Sequence, residues 1–461
     1  MLAYQLALLV LPLFFFLPMA IALRARPVWM IALLLGAVLV GPVATLDIAG
    51  KQYPLPLHDH CLAAWAIVHF LGRRGRPLVA GEVRVLILQS CFCAVGVLST
   101  VIYSPDLLKS LDGLKAYIMG LLTFYLLSKC IRTASDARGC VSALVCFGVC
   151  VGIELTYTVM TNVSAQTMWD ALIMNKTVAA VTFGESNYVA GVILPLMPLS
   201  LVPLRRGTLM RVFSWGAASA MLGSILLTAS RGALLSLVAG VTISACLRRR
   251  SGMLMALGMA ASGLLLWQFL PLAYTQHLTG KLSTVAVDQN STERLQLWDA
   301  SWRMMTEHPV TGIGIKASGY GFRAELGTND YLQAHNFALT VLAEAGLFGG
   351  AAYIASIFLV YRESIRGALS PRGATGSRFG YPLFVGFTCT LLHGMVEILH
   401  GTPQYSVIFW ALAALAFRLR SLYGGGALPC RSVGVVVPGH ERIVIASRRP
   451  DFKCAINTAC I

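Results

Sequence analysis

Long apolar runs recur along almost the whole chain, and they restrict the possible fold more than any other feature. A helix needs about 20 apolar residues to cross the hydrocarbon core of a bilayer. Candidate runs lie near 3–22, 28–46, 58–72, 84–103, 113–128, 141–160, 187–204, 213–229, 232–247, 252–272, 335–360, 381–399 and 404–417. Only 12% of residues are charged, against about 25% in soluble domains. The sequence therefore predicts an all-α polytopic bundle of about 12–13 transmembrane helices.

Basic residues cluster between the apolar runs and predict the orientation of the bundle. The clusters are Arg73/Arg74/Arg76, Lys129/Arg132/Arg138, Arg205/Arg206/Arg211, Arg248/Arg249/Arg250, Arg362/Arg366/Arg372/Arg378 and Arg418/Arg420. This placement of a net charge of +16 is typical of cytoplasmic loops and does not indicate nucleic-acid binding. The connections near 104–112, 161–186, 272–334 and 400–403 then face outward. The N-terminus lies outside with 13 spans and inside with 12, and the sequence leaves both open.

The run 213–247 tests this topology. As one helix it would be about 52 Å long at 1.5 Å per residue, whereas the hydrocarbon core is about 30 Å thick. Basic clusters flank it at both ends. We therefore expect two spans with a turn near Ser230-Arg231-Gly232 at the outer face, where Arg231 should be exposed.

The long hydrophilic connection 272–334 is the strongest candidate for a functional loop. Residues 291–307 read as an amphipathic helix lying at the membrane interface, with Asn290 and Glu293 at its start. Its apolar positions recur at helical spacing and are Leu295, Trp298, Trp302 and Met305. The predicted division is a transmembrane region over residues 1–271, a periplasmic loop over 272–334, a second transmembrane region over 335–420 and a flexible cytoplasmic tail over 421–461.

Three polar residues are predicted to lie at one level of the outer face: Arg231, Arg294 and His335. Arginine forks suit a diphosphate leaving group, and histidine can act as a general base toward a hydroxyl near neutral pH. Each also has a structural interpretation: Arg231 as an interfacial side chain, Arg294 as a solvated helix charge and His335 as a residue beside a helix start. Cysteines lie scattered in apolar runs without a Cys-x-x-Cys spacing, so we predict no metal, cofactor or disulfide framework.

Several segments resemble the O-antigen ligase and polysaccharide polymerase family of bacterial inner-membrane proteins. His335 to Gly349 reads HNFALTVLAEAGLFG, similar to the family pattern H-[NSQ]-x9-G-x-x-[GTY]. Arg231 to Leu235 reads RGALL, similar to R-x3-L. The segment Gly184 to Tyr188 and the stretch from Arg294 to Gly314 also match in order. The resemblance covers about residues 180–400, whereas the N-terminal third matches only in hydropathy.

The resemblance implies a metal-independent, inverting transfer of a glycan from undecaprenyl diphosphate. His335 would activate the acceptor hydroxyl, and Arg231 and Arg294 would hold the diphosphate. Asn187 and Asn336 become candidates for residues that line the cavity. The implied partners are the lipid-linked glycan donor, a lipid A-core or growing polysaccharide acceptor and membrane lipids, with no cofactor and no nucleic acid. The implied location is the bacterial inner membrane, with the active site facing the periplasm.

Two further points come from the residues themselves. Glu397 and His393 are four residues apart and would share one helix face. Because a charge inside a membrane tends to face a cavity, Glu397 is a third candidate for lining the outer cavity, near His400. Gly346, Gly349 and Gly350 are predicted to let helices approach closely.

The reaction and even the class of protein stay open at this stage. A ligase joins the glycan to lipid A-core, whereas a polymerase joins repeat units into O-antigen or exopolysaccharide, and both need the same donor. The alternative from another class is a transporter or flippase that exports the polysaccharide, since many spans with intramembrane charges would suit it.

Overall fold

The protein is built almost entirely from helices. The computed structural model describes residues 2–48, 51–72, 75–162, 186–202, 207–247, 253, 257–258, 260–261, 289–326, 333–370, 375–397, 401–423, 433–435 and 443–445. The helices are α1 (Leu2–Leu23), α2 (Pro27–Val40), α3 (Leu57–Gly72), α4 (Ala80–Tyr103), α5 (Leu107–Cys130), α6 (Ala134–Asn162), α7 (Ser186–Ile193), α8 (Met197–Ser200), α9 (Thr208–Leu227), α10 (Arg231–Leu247), α11 (Gln289–Glu307), α12 (Ser318–Leu326), α13 (Phe337–Ala368), α14 (Thr375–Gly394) and α15 (Pro403–Tyr423). Two antiparallel hairpins pair β1 (Pro42–Ile48) with β2 (Lys51–Pro56) and β3 (Val433–Val435) with β4 (Ile443–Ile445).

The predicted membrane bundle is confirmed in its class. Within the described residues, 5 helices are long and apolar enough to cross a membrane, namely α4, α6, α9, α13 and α15. Shorter apolar helices accompany them, among them α2 and α10. Large apolar side chains point outward from these helices, as Ile87, Val101 and Ile153 do, which is what a lipid-facing surface requires. The protein is therefore an integral membrane protein, and the total of about 12–13 spans stays a prediction.

The second predicted span is shorter than expected. Helix α2 ends at Val40, because Gly41 has a positive φ of 73° and Pro42 carries no backbone N–H to continue the helical pattern. The chain then forms the β1–β2 hairpin up to Pro56. The prediction of a span over 28–46 was thus wrong at its C-terminal end.

The run 213–247 is divided as predicted. Helix α9 ends at Leu227 and α10 begins at Arg231, with Ala229 at φ 50° in the turn between them. The side-chain oxygen of Ser230 accepts the N–H of Ala233 at 3.4 Å and so contributes to the start of α10. Arg231 is half-buried rather than exposed, since the next residue, Gly232, packs against α14.

The core of the bundle lies where α4, α5, α13 and α15 meet. Aromatic rings fill it: Phe92 lies 4.8 Å from Tyr117 and 4.7 Å from Tyr353 between ring centroids. Trp410 of α15 is fully buried and lies directly against Gly120 of α5, where a β-carbon would have no room. This close packing fixes the position of α13. His335 lies just before the N-terminal end of that helix.

Helix α13 is broken at Gly346, and the preceding loop is inserted at the break. Gly346 has φ 63° and ψ −172°, a region that essentially only glycine occupies. The carbonyl groups of Ala343 and Glu344 accept the N–H groups of Ile313 and Gly314, each at 3.0 Å. The N–H of Leu347 donates to the carbonyl of Pro309 at 2.7 Å. The backbone groups that the break frees are thus bonded to the loop.

The three glycines of this motif therefore differ in what they do. A β-carbon at Gly346 would lie 2.6 Å from the backbone of Val310, so Gly346 is a site of backbone contact rather than of helix packing. A β-carbon at Gly349 would lie 3.1 Å from Val95 of α4, which confirms the predicted close approach of two helices there. The nearest atoms to a β-carbon at Gly350 belong to Leu342 of the same helix.

The predicted amphipathic helix exists as α11, over Gln289–Glu307. Its buried apolar side chains are Leu297, Ala300 and Met304, which pack with Phe322, Ala334 and Ala343. Of the four predicted apolar positions, Leu295 and Trp302 are 58% and 54% exposed and so remain available to the membrane interface. Trp298 instead faces the protein, where its indole N–H bonds to Ala334.

Candidate active site

His335 lies in a strained turn at the start of α13. Its φ of 49° is in the left-handed region, which costs a residue with a β-carbon roughly 1–3 kcal/mol and is often kept where a side chain must be aimed. Asn336 follows as the N-cap: its Oδ1 accepts the N–H groups of Ala338 and Leu339, both at 3.1 Å. Asn336 is 4% exposed, so its amide oxygen serves the helix start rather than an open cavity.

Two side chains from elsewhere hold the segment before His335. The indole N–H of Trp298 on α11 donates to the carbonyl of Ala334 at 2.8 Å. The hydroxyl of Tyr188 on α7 donates to the Oε1 of Gln333 at 3.5 Å. The backbone next to His335 is therefore fixed by the loop helix on one side and by the bundle on the other.

A buried carboxylate orients the imidazole of His335. The distance from His335 Nδ1 to Glu397 Oε1 is 2.8 Å. Glu397 is 3% exposed in its side chain and His335 is 34% exposed. Since an ionised carboxylate can only accept, the Nδ1–H of His335 is the donor, and the lone pair of a neutral imidazole then lies on Nε2.

Asn187 fixes the other oxygen of that carboxylate. Its Nδ2 donates to Glu397 Oε2 at 2.9 Å, and its backbone carbonyl accepts the Nε2–H of His393 at 3.4 Å. Helix α14 ends at Gly394, so Glu397 lies in the turn after the helix and not on one helix face with His393. The prediction that these two residues share a helix face is wrong, yet both still meet at Asn187.

The two arginines approach the same group of residues. Arg231 begins α10, and a β-carbon on its neighbour Gly232 would lie 3.5 Å from Nδ1 of His393. Arg294 on α11 is close enough to His393 to act on it electrostatically. Both arginines are half-buried. The structure thus joins His335, Glu397, Asn187 and His393 through hydrogen bonds, while His400 and the segment 184–185 lie outside the described residues.

Sequence reasoning missed the residues that hold the loop. Glu344, buried inside α13, accepts the hydroxyl of Ser318 at 2.7 Å. The N–H of Ile315 donates to Thr100 of α4 at 3.2 Å, and Lys316 Nζ lies 3.3 Å from Asp112 of α5. A glutamate inside an apolar run was the available signal, because a buried carboxylate needs donors. Nothing local could identify its partner.

Comparison with known proteins locates the family signal in this region of the chain. Residues 216–354 match the family model described as O-antigen ligase. The matched segment includes Arg231, Arg294, His335 and Gly346, and it ends before His393 and Glu397. A search of curated proteins finds no match. The resemblance read from the sequence is thereby confirmed over residues 216–354, where the chain is similar to the O-antigen ligase family.

Proposed function

We propose that the protein transfers a glycan from undecaprenyl diphosphate to an acceptor hydroxyl at the periplasmic face of the bacterial inner membrane. The observation that supports this most directly is the hydrogen bond between His335 and the buried carboxylate of Glu397. A histidine oriented by a carboxylate is the arrangement in which Nε2 can remove a proton from a hydroxyl. The match of residues 216–354 to the O-antigen ligase family supports a lipid-linked glycan as the substrate class.

In the proposed reaction His335 is the general base. Its Nε2 takes the proton of the acceptor hydroxyl as the oxygen forms a bond to the anomeric carbon of the donor sugar. The bond from that carbon to the phosphate oxygen breaks, and the electron pair leaves with undecaprenyl diphosphate. Attack from the face opposite the leaving group inverts the anomeric configuration. Metal-independent chemistry is part of the proposal, with the imidazole as base and the guanidinium groups as the cations.

Arg231 and Arg294 are proposed to bind the diphosphate. Guanidinium groups carry permanent charge and match phosphate oxygens in a bidentate way. A cation placed where negative charge develops stabilises the transition state more than the ground state. Arg294 acts electrostatically on His393, and Glu397 and Asn187 connect His393 to His335, which supports one donor site for the base and the diphosphate.

Orientation and location follow from the charge pattern and remain part of the proposal. The basic clusters favour the cytoplasm, and the active-site residues lie at the other end of the spans. The predicted division of the chain into two transmembrane regions, a periplasmic loop and a cytoplasmic tail is proposed on the same basis. The acceptor, lipid A-core for a ligase or a growing polysaccharide for a polymerase, is decided by experiment.

The test uses the purified protein and a native undecaprenyl-diphosphate glycan. His335→Ala should abolish transfer, with a loss of about 10²–10⁴ in rate for a missing general base, while donor binding persists. His308→Gln is the matched control, since His308 lies at the far end of α11 from Arg294, about 21 Å away at 1.5 Å per residue. Offering lipid A-core or only more donor distinguishes ligation from polymerisation.

Two results would overturn the proposal. One is wild-type transfer that His335→Ala leaves unchanged. The other is a wild-type protein that moves the donor across vesicle membranes but forms no new glycosidic bond with either acceptor, which is the result that a flippase predicts.

A further inference from the structure

A cavity opens at the end of the bundle away from His335. Its volume is about 250 Å³, well above the roughly 30 Å³ of one water and just below the roughly 300–1,000 Å³ of pockets for drug-sized ligands. It is lined by Arg24, Ala25, Trp65, Val68, His69, Gly72, Cys130 and Arg132. Its size fits one small polar group and excludes a whole lipid.

Helix α5 relates this cavity to the active site. Near its first turn, Asp106 accepts the hydroxyl of Tyr320 in the loop at 3.2 Å, and at its last turn Cys130 lines the cavity. The helix has 24 residues and is therefore about 36 Å long at 1.5 Å per residue. The cavity and the loop thus lie near opposite faces of the membrane.

The lining of the cavity is cationic. Arg24 and Arg132 both line it, and Lys129 is close enough to the neighbouring His69 to act on it electrostatically. Among the described residues that line it, none is acidic. Asp136, the nearest carboxylate along the chain, accepts the backbone N–H groups of Arg132 and Thr133 at 3.1 and 2.9 Å. One carboxylate oxygen of Asp136 is therefore engaged at the start of α6, although its charge still acts on Cys130 in the lining.

An apolar surface adjoins the cations. Trp65 and Val68 form the inner wall, 1% and 8% exposed. Phe70 and Leu71, on the same turns of α3, are 54% and 81% exposed. A group bound in the cavity could therefore keep its charged part against the arginines while attached hydrocarbon lies along these side chains in the bilayer.

We propose that this cavity binds a phosphate group, supplied by the headgroup of an anionic phospholipid. Two guanidinium forks match phosphate oxygens, and basic pockets between helices at a cytoplasmic membrane surface are suited to anionic headgroups. The neighbouring Phe70 and Leu71 favour a lipid over a soluble phosphate. The site is separate from glycan transfer and stands whether or not the proposed function is correct.

The test measures lipid retention on the full-length protein. Native mass spectrometry would compare bound phosphatidylglycerol with phosphatidylcholine for wild type and for Arg24→Gln/Arg132→Gln. Each arginine near an anionic membrane surface contributes to the binding free energy. Replacing both is therefore expected to lower the affinity for phosphatidylglycerol about thirtyfold. Arg26→Gln/Arg138→Gln removes the same charge from two exposed residues at the same end that do not line the cavity and should retain the lipid.

A third variant and a second ligand complete the design. Arg24→Lys/Arg132→Lys keeps the charge but loses the planar guanidinium forks, so it should bind phosphatidylglycerol more weakly than wild type. This variant replaces the glutamine pair if the glutamine pair does not fold. Another outcome is that wild type binds inorganic phosphate, that the glutamine pair loses this binding and that wild type shows no preference for phosphatidylglycerol. That result supports the phosphate site and assigns it to a soluble anion. Equal retention of both lipids without phosphate binding, or equal losses in both glutamine pairs, would overturn the proposal.

Discussion

The geometry around His335 is decided by individual hydrogen bonds, each involving one side chain. Glu397 has both oxygens engaged, one by His335 at 2.8 Å and one by Asn187 at 2.9 Å. A carboxylate held at both oxygens cannot rotate away from the imidazole without losing a buried partner, which costs about 1–3 kcal/mol or more for a charged group. The orientation of the His335 imidazole is therefore built into the resting protein.

Glu397→Gln tests this positioning role. The glutamine keeps the shape but removes the negative charge that stabilises an imidazolium, and its amide can turn an N–H toward His335. We expect kcat to fall on the order of a hundredfold or more with KM little changed. Glu397→Asp keeps the negative charge and changes only the distance to His335, so it should retain more of the wild-type kcat than Glu397→Gln. Measurement of both constants with the native donor decides the matter.

Glu293→Gln is the control, since Glu293 is exposed on α11 beside Arg294. It should leave both constants near wild type. An unchanged kcat in Glu397→Gln, or an equal loss in both variants, would remove Glu397 from the positioning role.

Single residues are also where the sequence was most and least informative. Arg231, Arg294 and His335 were identified from residue chemistry and motif spacing. The structure joins His335 to Glu397 by a hydrogen bond, and the roles of the two arginines stay predictions. The prediction that Arg231 is exposed was wrong. The adjacent Gly232 packs against residues at the end of α14, which are far away in the chain and could not be identified locally. Asn336 was identified by the motif, but its role as an N-cap depends on a backbone geometry that the motif alone does not show.

The loop helix α11 and the span α13 act on the site through backbone contacts. Trp298→Phe tests the first, because it keeps an aromatic ring and removes the N–H that donates to Ala334. Leaving that buried carbonyl unpaired costs about 1–3 kcal/mol. If this free energy is lost from the stabilisation of the transition state, kcat falls about tenfold or more.

Trp302→Phe is the matched control on the same helix, since Trp302 is 54% exposed. It should transfer glycan at the wild-type rate in the same assay. Equal rates for the two variants would show that α11 does not position His335.

Gly346→Ala tests the break in α13. Alanine at φ 63° and ψ −172° costs about 1–3 kcal/mol in backbone strain, and its β-carbon would lie 2.6 Å from the Val310 backbone. We expect a lower midpoint of thermal unfolding in detergent and a loss of transfer.

Gly223→Ala provides the comparison, because a β-carbon there meets nothing within 4 Å. Its unfolding midpoint should stay at or slightly above that of wild type. A Gly346→Ala protein as stable as Gly223→Ala would contradict the role assigned to the break.

Whole elements were predictable to different degrees. Apolar run length predicted the spans α4, α6, α9, α13 and α15, and the mismatch between run 213–247 and the bilayer predicted the turn before α10. The β1–β2 hairpin was missed because β1 begins at Pro42 inside the apolar run that contains α2, and the run continues to Leu46 before the first charged residue, Asp47. The insertion of residues 309–314 at the break in α13 could not be predicted, since its backbone bonds carry no side-chain pattern.

At the scale of the whole molecule, the proposed topology makes a prediction about two surfaces. Thr306→Cys lies on α11 and Ser135→Cys on α6, both at exposed positions. In cells with a permeable outer membrane, a membrane-impermeant maleimide should label Thr306→Cys above the wild-type background. Ser135→Cys should react only after the inner membrane is opened, because the basic clusters near it favour the cytoplasm.

The reverse labelling pattern would place the active site in the cytoplasm and remove the periplasmic assignment. Labelling of both positions in intact cells would contradict the topology as a whole. Wild type measured in parallel reports the contribution of the native cysteines.

The bonds between residues 309–314 and the break in α13 have a consequence for protein engineering. Loop and span form one backbone-bonded unit, so a chimera that exchanges the loop alone would replace one half of a matched pair. A graft intended to change the acceptor should therefore carry residues 289–348 as a single cassette, from the start of α11 to a point in α13 beyond the break at Gly346.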